Sequence, residues 1–206
     1  MGLYDKYLLP KIINLSCGTK PVRRQREKVV PLAEGRVLEI GIGSGLNLTH
    51  YDAQKVERIF GLDPAPEMLT YARKVAEGLS IPVEFLALEG ENIPLDKHSV
   101  DTVLVTYTLC TIPDAITALA GMREVLKPGG KLIFCEHGKA PDEAVVRWQN
   151  RLNPVWKKIG GGCNLNRDIP ALIEHGGFRV DVLDTMYLPG TPRFSGFNYW
   201  GIAQPK

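Results

Sequence analysis

The chain lacks any run of about 18 apolar residues, so no membrane-spanning helix is expected. Its N-terminus lacks the basic–apolar–small-residue layout of a secretory leader, and Lys6 breaks the Met-Gly-x-x-x-Ser/Thr acylation pattern. Cysteine is scarce. Cys17, Cys110, Cys135 and Cys163 form no CxxC and no disulfide framework, which points to a reducing cytoplasm. Cys135 and His137 share a strand face by alternation and Cys110 is a candidate neighbour, but no third or fourth ligand at metal-site spacing is visible, so no metal is expected. Charge of one sign is lacking too. A net charge of +2 argues neither for nor against nucleic acid, and none is expected as a partner. Repeats, low-complexity tracts and linkers are absent, and 206 residues with 44% apolar and 23% charged content suit one globular domain over 1–206.

What is present begins at 36–45, Arg-Val-Leu-Glu-Ile-Gly-Ile-Gly-Ser-Gly. Val37, Leu38 and Ile40 read as a buried strand, and Gly41, Gly43 and Gly45 turn the chain so that a ligand can approach bare backbone. A dinucleotide fingerprint needs a third small residue where Leu46 stands, and a carboxylate at Glu39 would repel a pyrophosphate. The same carboxylate suits a cationic amino group, so a nicotinamide dehydrogenase is disfavoured. Gly61-Leu62-Asp63-Pro64 closes the next strand, placing Asp63 about twenty residues beyond the glycines, a distance suited to accepting ribose hydroxyls.

The acidic-x-G-x-G-x-G pattern with Asp63 resembles the class I S-adenosylmethionine (SAM)-dependent methyltransferases. That resemblance implies Glu39 at the methionine amino end and Asp63 on the ribose. Glu89-Gly90-Glu91-Asn92-Ile93-Pro94-Leu95 is similar to the G-D-A-E-x-L-P-F segment of the ubiquinone-biosynthesis-type branch, with Glu89 for Asp and Gly90 for Ala. Leu126-Lys127-Pro128-Gly129-Gly130 resembles the family's turn before its fifth strand. These motifs cover roughly 36–137. The implied fold is a Rossmann-like α/β sandwich, mostly parallel, ending in an antiparallel hairpin. Alternation of strand and helix agrees with it. Strands are expected near 37–41, 58–63, 82–87, 101–107 and 131–137, and helices near 21–33, 45–52, 65–77, 114–126, 141–158 and 168–175. Phe178–Val182 and Phe197–Ala203 form the hairpin.

Ligands in such sheets lie across the carboxyl ends of the strands. The lining there is expected from the glycine loop, Asp63 to Met68, Glu89 to Asn92 and Thr106 to Cys110. Met68 faces the adenine or packs in a helix core. Thr106 and Tyr107 offer groups to the methionine end or simply close a buried strand, and Cys110 borders the acceptor. Glu136-His137-Gly138, two polar residues closing an apolar strand at the same edge, is the best candidate for acceptor-side chemistry. His137 is a candidate base near neutral pH, or a strand-capping histidine. Leu3, Tyr4, Tyr7, Leu8, Ile12 and Ile13 form an apolar surface with Pro10 at a helix start. In the family, segments ahead of the glycine motif often form a lid, so 1–33 is expected as a helical lid with Tyr4 and Tyr7 walling the acceptor; the alternative is a helix packed on the sheet edge. Lys20, Arg23, Arg24, Arg26 and Lys28 read as a solvated face, or as a surface meeting an anionic head group, which allows peripheral membrane contact.

Arg147 to Trp156 and Gly162 to Arg167, with Thr108-Leu109-Cys110, are similar to thiol methyltransferase-like proteins and to bacterial phosphatidylethanolamine N-methyltransferases. Trp148 and Trp156 lie near one helix face and are expected in the core, while Asn164 and Asn166 are expected to cap the next helix. The resulting expectation is methyl transfer from SAM to a small, partly apolar thiol or amine. Alternatives are a phospholipid head group as acceptor, or a SAM-binding protein without transferase activity.

Overall fold

The computed structural model describes residues 8–206; Tyr4 and Tyr7 lie outside them. Two helices, α1 (Leu9–Cys17) and α2 (Lys20–Val29), precede the first strand. Then follow β1 (Gly35–Ile40), β2 (Val56–Leu62), α3 (Pro66–Ala76), β3 (Val83–Leu86), β4 (Val100–Thr106), α4 (Ala115–Val125) and β5 (Leu126–His137). The remainder comprises α5 (Glu143–Ile159), α6 (Ile169–His175), β6 (Phe178–Tyr187), α7 (Arg193–Gly196) and β7 (Phe197–Pro205). The sheet runs β3-β2-β1-β4-β5-β7-β6, with β1 to β5 parallel and β7 antiparallel to both β5 and β6.

The central strands are buried on both faces, which is why they read as nearly continuous apolar runs. Leu38, Ile40, Val103, Val105, Leu132 and Phe134 pack one face against α4 and α6 through Leu119, Met122 and Ile173. Val37, Ile59, Leu104 and Ile133 pack the other with Val29, Val30, Leu69 and Ala72. Strand order reverses between β1 and β4, so the ends of those strands open the crevice where the site is built.

Several expectations need correction. The segment 45–52 is not an α-helix; it forms turns and a single 3-10 turn at Leu48–His50. Gly45 has φ +82° and Asn47 turns its amide inward, so the chain folds over the end of β1. Trp148 is 58% exposed while Trp156 packs edge-on to Phe194, so α5 sends the two rings to different surroundings. Asp168, and neither Asn164 nor Asn166, caps α6, accepting from the Ala171 N–H.

Candidate functional site

The glycine loop leaves β1 through three left-handed residues, Gly41, Gly43 and Gly45 (φ +72°, +54° and +82°). A side chain at Gly41 would meet the Thr108 hydroxyl and methyl groups, so the chain leaving β1 must be bare where Thr108 packs on it. Asp63, at the end of β2, fixes the loop: its Oδ2 accepts from the Gly43 N–H at 3.0 Å and its Oδ1 from the Ala65 N–H at 2.9 Å. Burial raises the Asp63 carboxyl above its ordinary value, opposed by those two amides. Pro64 is exposed beside it.

Behind the loop lies a buried polar chain. Glu39 is almost wholly buried, and its oxygens accept from Tyr51 Oη at 2.6 Å and Asn47 Nδ2 at 2.9 Å. Burial pushes the Glu39 carboxyl up to about 7 against these two hydrogen bonds. Asn47 Nδ2 also donates to Thr106 Oγ1. Arg26, which the basic run 20–28 placed on a solvated face, is 5% exposed. Its Nη1 donates to Thr106 Oγ1 at 2.6 Å and Asn47 Oδ1 at 2.8 Å, while its Nε is buried with no partner. The signal available in the sequence was the helical spacing of Val22, Arg26, Val29 and Val30, which puts Arg26 on the apolar side of α2. Tyr107 contributes its ring, 5.2 Å from the Arg26 guanidinium carbon, but its hydroxyl donates to Asn198 on β7, away from the polar chain.

On the other side, Met68 is buried, belongs to neither core, and reaches over Gly43. Glu89 stands exposed beyond β3, while Glu91 turns toward α4 and accepts from the Asp114 N–H. Gly90 packs so closely on Ile40 and Ile112 that an added methyl would crowd both.

At the ends of β4 and β5, Glu136 does not face an acceptor. Fully buried, it accepts from the backbone N–H groups of Thr108 (2.7 Å), Leu109 (3.0 Å) and Cys110 (3.4 Å). His137 is not bonded to Glu136; its Nε2 lies 3.1 Å from Cys163 Sγ. Cys163 Sγ in turn lies 3.8 Å from Cys110 Sγ. The expectation of too few metal-type donors thus fails on its premise: Cys163, remote in sequence, supplies the third. Asn164 explains the approach, since its backbone N–H and side-chain Nδ2 both donate to the Cys110 carbonyl.

α1 crosses this edge. Asn14 accepts from the Ser44 hydroxyl of the glycine loop at 2.6 Å, and Leu9 packs over Gly161 in the loop after α5. No helix among the described residues is long and apolar enough to cross a membrane.

The description "Methyltransferase domain" fits residues 38–134. Thiol S-methyltransferase TMT1B of Rattus norvegicus is 36% identical over 172 residues, covering 79% of this chain and 70% of that protein. Phosphatidylethanolamine N-methyltransferase of Cereibacter sphaeroides is 29% identical over 139 residues, covering 63% of this chain and 68% of its own. A SAM-dependent methyltransferase from Leishmania major shares the fold with a TM-score of 0.71 at 16% identity, over 98% of this chain and 80% of that one. By sequence and by fold, the chain belongs to the class I SAM-dependent methyltransferases.

Proposed function

We propose that the enzyme methylates the sulfur of a small, partly apolar thiol. The observation that carries this reading is the character of the acceptor edge: two thiols and an imidazole meet there, and the adjacent carboxylate, Glu136, is committed to three amides and not free to hold an ammonium group. Identity to the rat thiol S-methyltransferase supports it.

In this reading the zwitterionic end of SAM meets Arg26, whose unpartnered Nε suits a carboxylate, and Glu39, whose spare lone pairs suit the ammonium. Asp63 takes the ribose hydroxyls, Met68 the adenine face, and Glu89 the adenine rim. The cofactor supplies a methyl carbon on a sulfonium, so the chain's task is to align the acceptor and keep water out. α1 is placed to do the latter as a lid, bridging the glycine loop and the loop after α5. The four unpaired thiols suit a reducing compartment such as the cytoplasm.

Purified protein, labelled SAM and a panel of thiols, amines and phosphatidylethanolamine vesicles test the assignment. Labelled thioether is expected from thiols alone. Label in the lipid or amine, with none in thiols, would overturn it. That second outcome has a structural basis of its own: Ile12 and Leu15 on α1, and Trp148, Val155 and Ile159 on α5, expose apolar side chains suited to peripheral membrane contact.

Glu39 gives a separate pH prediction. Raised to about 7 by burial, it is largely protonated at about pH 6 in the free protein. An ammonium docking beside it favours the carboxylate, so binding SAM at about pH 6 should release a proton, and the release should fade by about pH 8. Affinity should climb with pH up to about 7 and then level. In the free protein the sign is opposite: this raised group favours folding most below its ordinary value and loses that contribution as pH rises through about 7. Calorimetry in buffers of different ionisation enthalpy measures the released proton; equal release at both pH values would remove Glu39 from the cofactor's amino end.

A further inference from the structure

Cys110 follows β4, His137 ends β5, and Cys163 lies in the loop after α5, yet their donor atoms all fall within 4.8 Å of one another. In a tetrahedral zinc site, bonds of about 2.3 Å to sulfur and about 2.0–2.1 Å to nitrogen set neighbouring sulfurs about 3.8 Å apart and sulfur to nitrogen about 3.6 Å. The Cys110–Cys163 separation is 3.8 Å and the Cys163–His137 separation 3.1 Å, so small side-chain rotations suffice. The backbone behind the donors is held independently. Asn164 ties the Cys163 loop to the Cys110 carbonyl, Glu136 and Arg167 clamp the turn at 108–112, and β7 pairs with His137. Trp156 directs its indole N–H toward Cys163 Sγ at 3.4 Å, the kind of outer contact that steadies a metal-bound thiolate. Two thiolates, a neutral imidazole and a divalent cation sum to zero charge, which makes burial tolerable. Soft sulfur donors select zinc over magnesium or calcium.

We propose that Cys110, His137 and Cys163 bind a zinc ion, and that its fourth position takes the sulfur of the acceptor thiol. The second half rests on the thiol reading above; the first does not. Three protein ligands with one position open is the pattern of catalytic zinc sites. On coordination the acceptor S–H gives up its proton to solvent. Its sulfur lone pair then forms the new S–CH3 bond as the methyl carbon's bond to the sulfonium breaks. The neutral thioether, a poor ligand, leaves along with S-adenosylhomocysteine.

Cobalt(II) replaces zinc as a visible probe. The reduced full chain, freed of metal by chelation, should take up one equivalent of cobalt, giving thiolate-to-cobalt charge-transfer absorption and the intense visible bands of a tetrahedral site. Bound ion should protect Cys110 and Cys163 from alkylation. Cys110→Ser and Cys163→Ser should each weaken uptake by at least about tenfold, whereas Cys135→Ser, a buried thiol outside the cluster, should keep it. No uptake by the wild-type chain would overturn the site without recourse to any variant. Uptake with visible bands that an added small thiol leaves unchanged would overturn the acceptor half. Uptake together with no S-methylation of any thiol would leave the ion in place and sink the thiol reading instead.

Discussion

Asp63→Ala should weaken SAM binding at least tenfold while changing thermal stability little. Two hydroxyls donating to one carboxylate contribute about 1.5–3 kcal/mol each, and about 1.4 kcal/mol is a factor of ten. Water entering the emptied space recovers part of that sum, so tenfold is the floor. A second loss adds to it, because Asp63 also holds the Gly43 N–H, and the loop that approaches the cofactor slackens without it. Stability responds less than at a fully buried carboxylate, since Asp63 is only partly buried and water reaches the freed Gly43 and Ala65 N–H groups, and loss of a carboxylate that burial disfavours relieves part of the cost. Asp63→Asn keeps a carbonyl for the Ala65 N–H but turns an NH2 toward either Gly43 or the ribose, so its affinity should lie between those of alanine and wild type. Titration calorimetry reads all three proteins. An unchanged dissociation constant for Asp63→Ala would remove the residue from the ribose.

Asp63 was legible in the sequence for a physical reason: it stands at the end of an apolar strand, and a parallel sheet fixes the distance from one strand end to the next. The glycine loop was legible likewise, because a backbone with three left-handed residues leaves its mark in residue type. Arg26 was legible only in part. Its helical spacing sets it on the apolar side of α2, but a basic run reads as a solvated face, and its partners Asn47 and Thr106 come from two distant segments. Cys163 was hidden in the same way, since its approach to Cys110 depends on Asn164 binding a carbonyl that no local pattern announces. The segment after Gly45 misled through its apolar spacing. Leu48 and Tyr51 do face inward, but at and just after a single 3-10 turn, while Asn47, its backbone still helical, commits its side chain to the buried polar chain. The eight-residue spacing of the two tryptophans misled too, for helical spacing says which residues share a side and not whether that side is covered.

Glu136→Ala should be the most damaging single change to the fold near the site. The sequence set Glu136 beside His137 as acceptor chemistry; the structure gives it three backbone donors in the turn Thr108–Cys110. Alanine leaves those N–H groups facing a gap, and each stranded donor costs about 1–3 kcal/mol. Relief of a buried carboxylate offsets part of this, since burial holds the Glu136 carboxyl above its ordinary value against the three amides. With that relief set against three stranded donors, the net loss should be about 3–5 kcal/mol. At about 2–4 °C per kcal/mol for a chain of this size, Tm should drop by roughly 6–20 °C. Glu136→Gln separates charge from connectivity. The two shorter bonds, from Thr108 and Leu109, end on a single oxygen, which a glutamine carbonyl can replace, while only the 3.4 Å contact from Cys110 loses its acceptor. Glutamine should therefore recover more than half of the lost Tm. Thermal unfolding followed by circular dichroism reads both variants. If Glu136→Ala unfolds at the wild-type temperature, water or a neighbouring group satisfies the turn, and the carboxylate is free for the acceptor-side role that its position beside His137 first suggested.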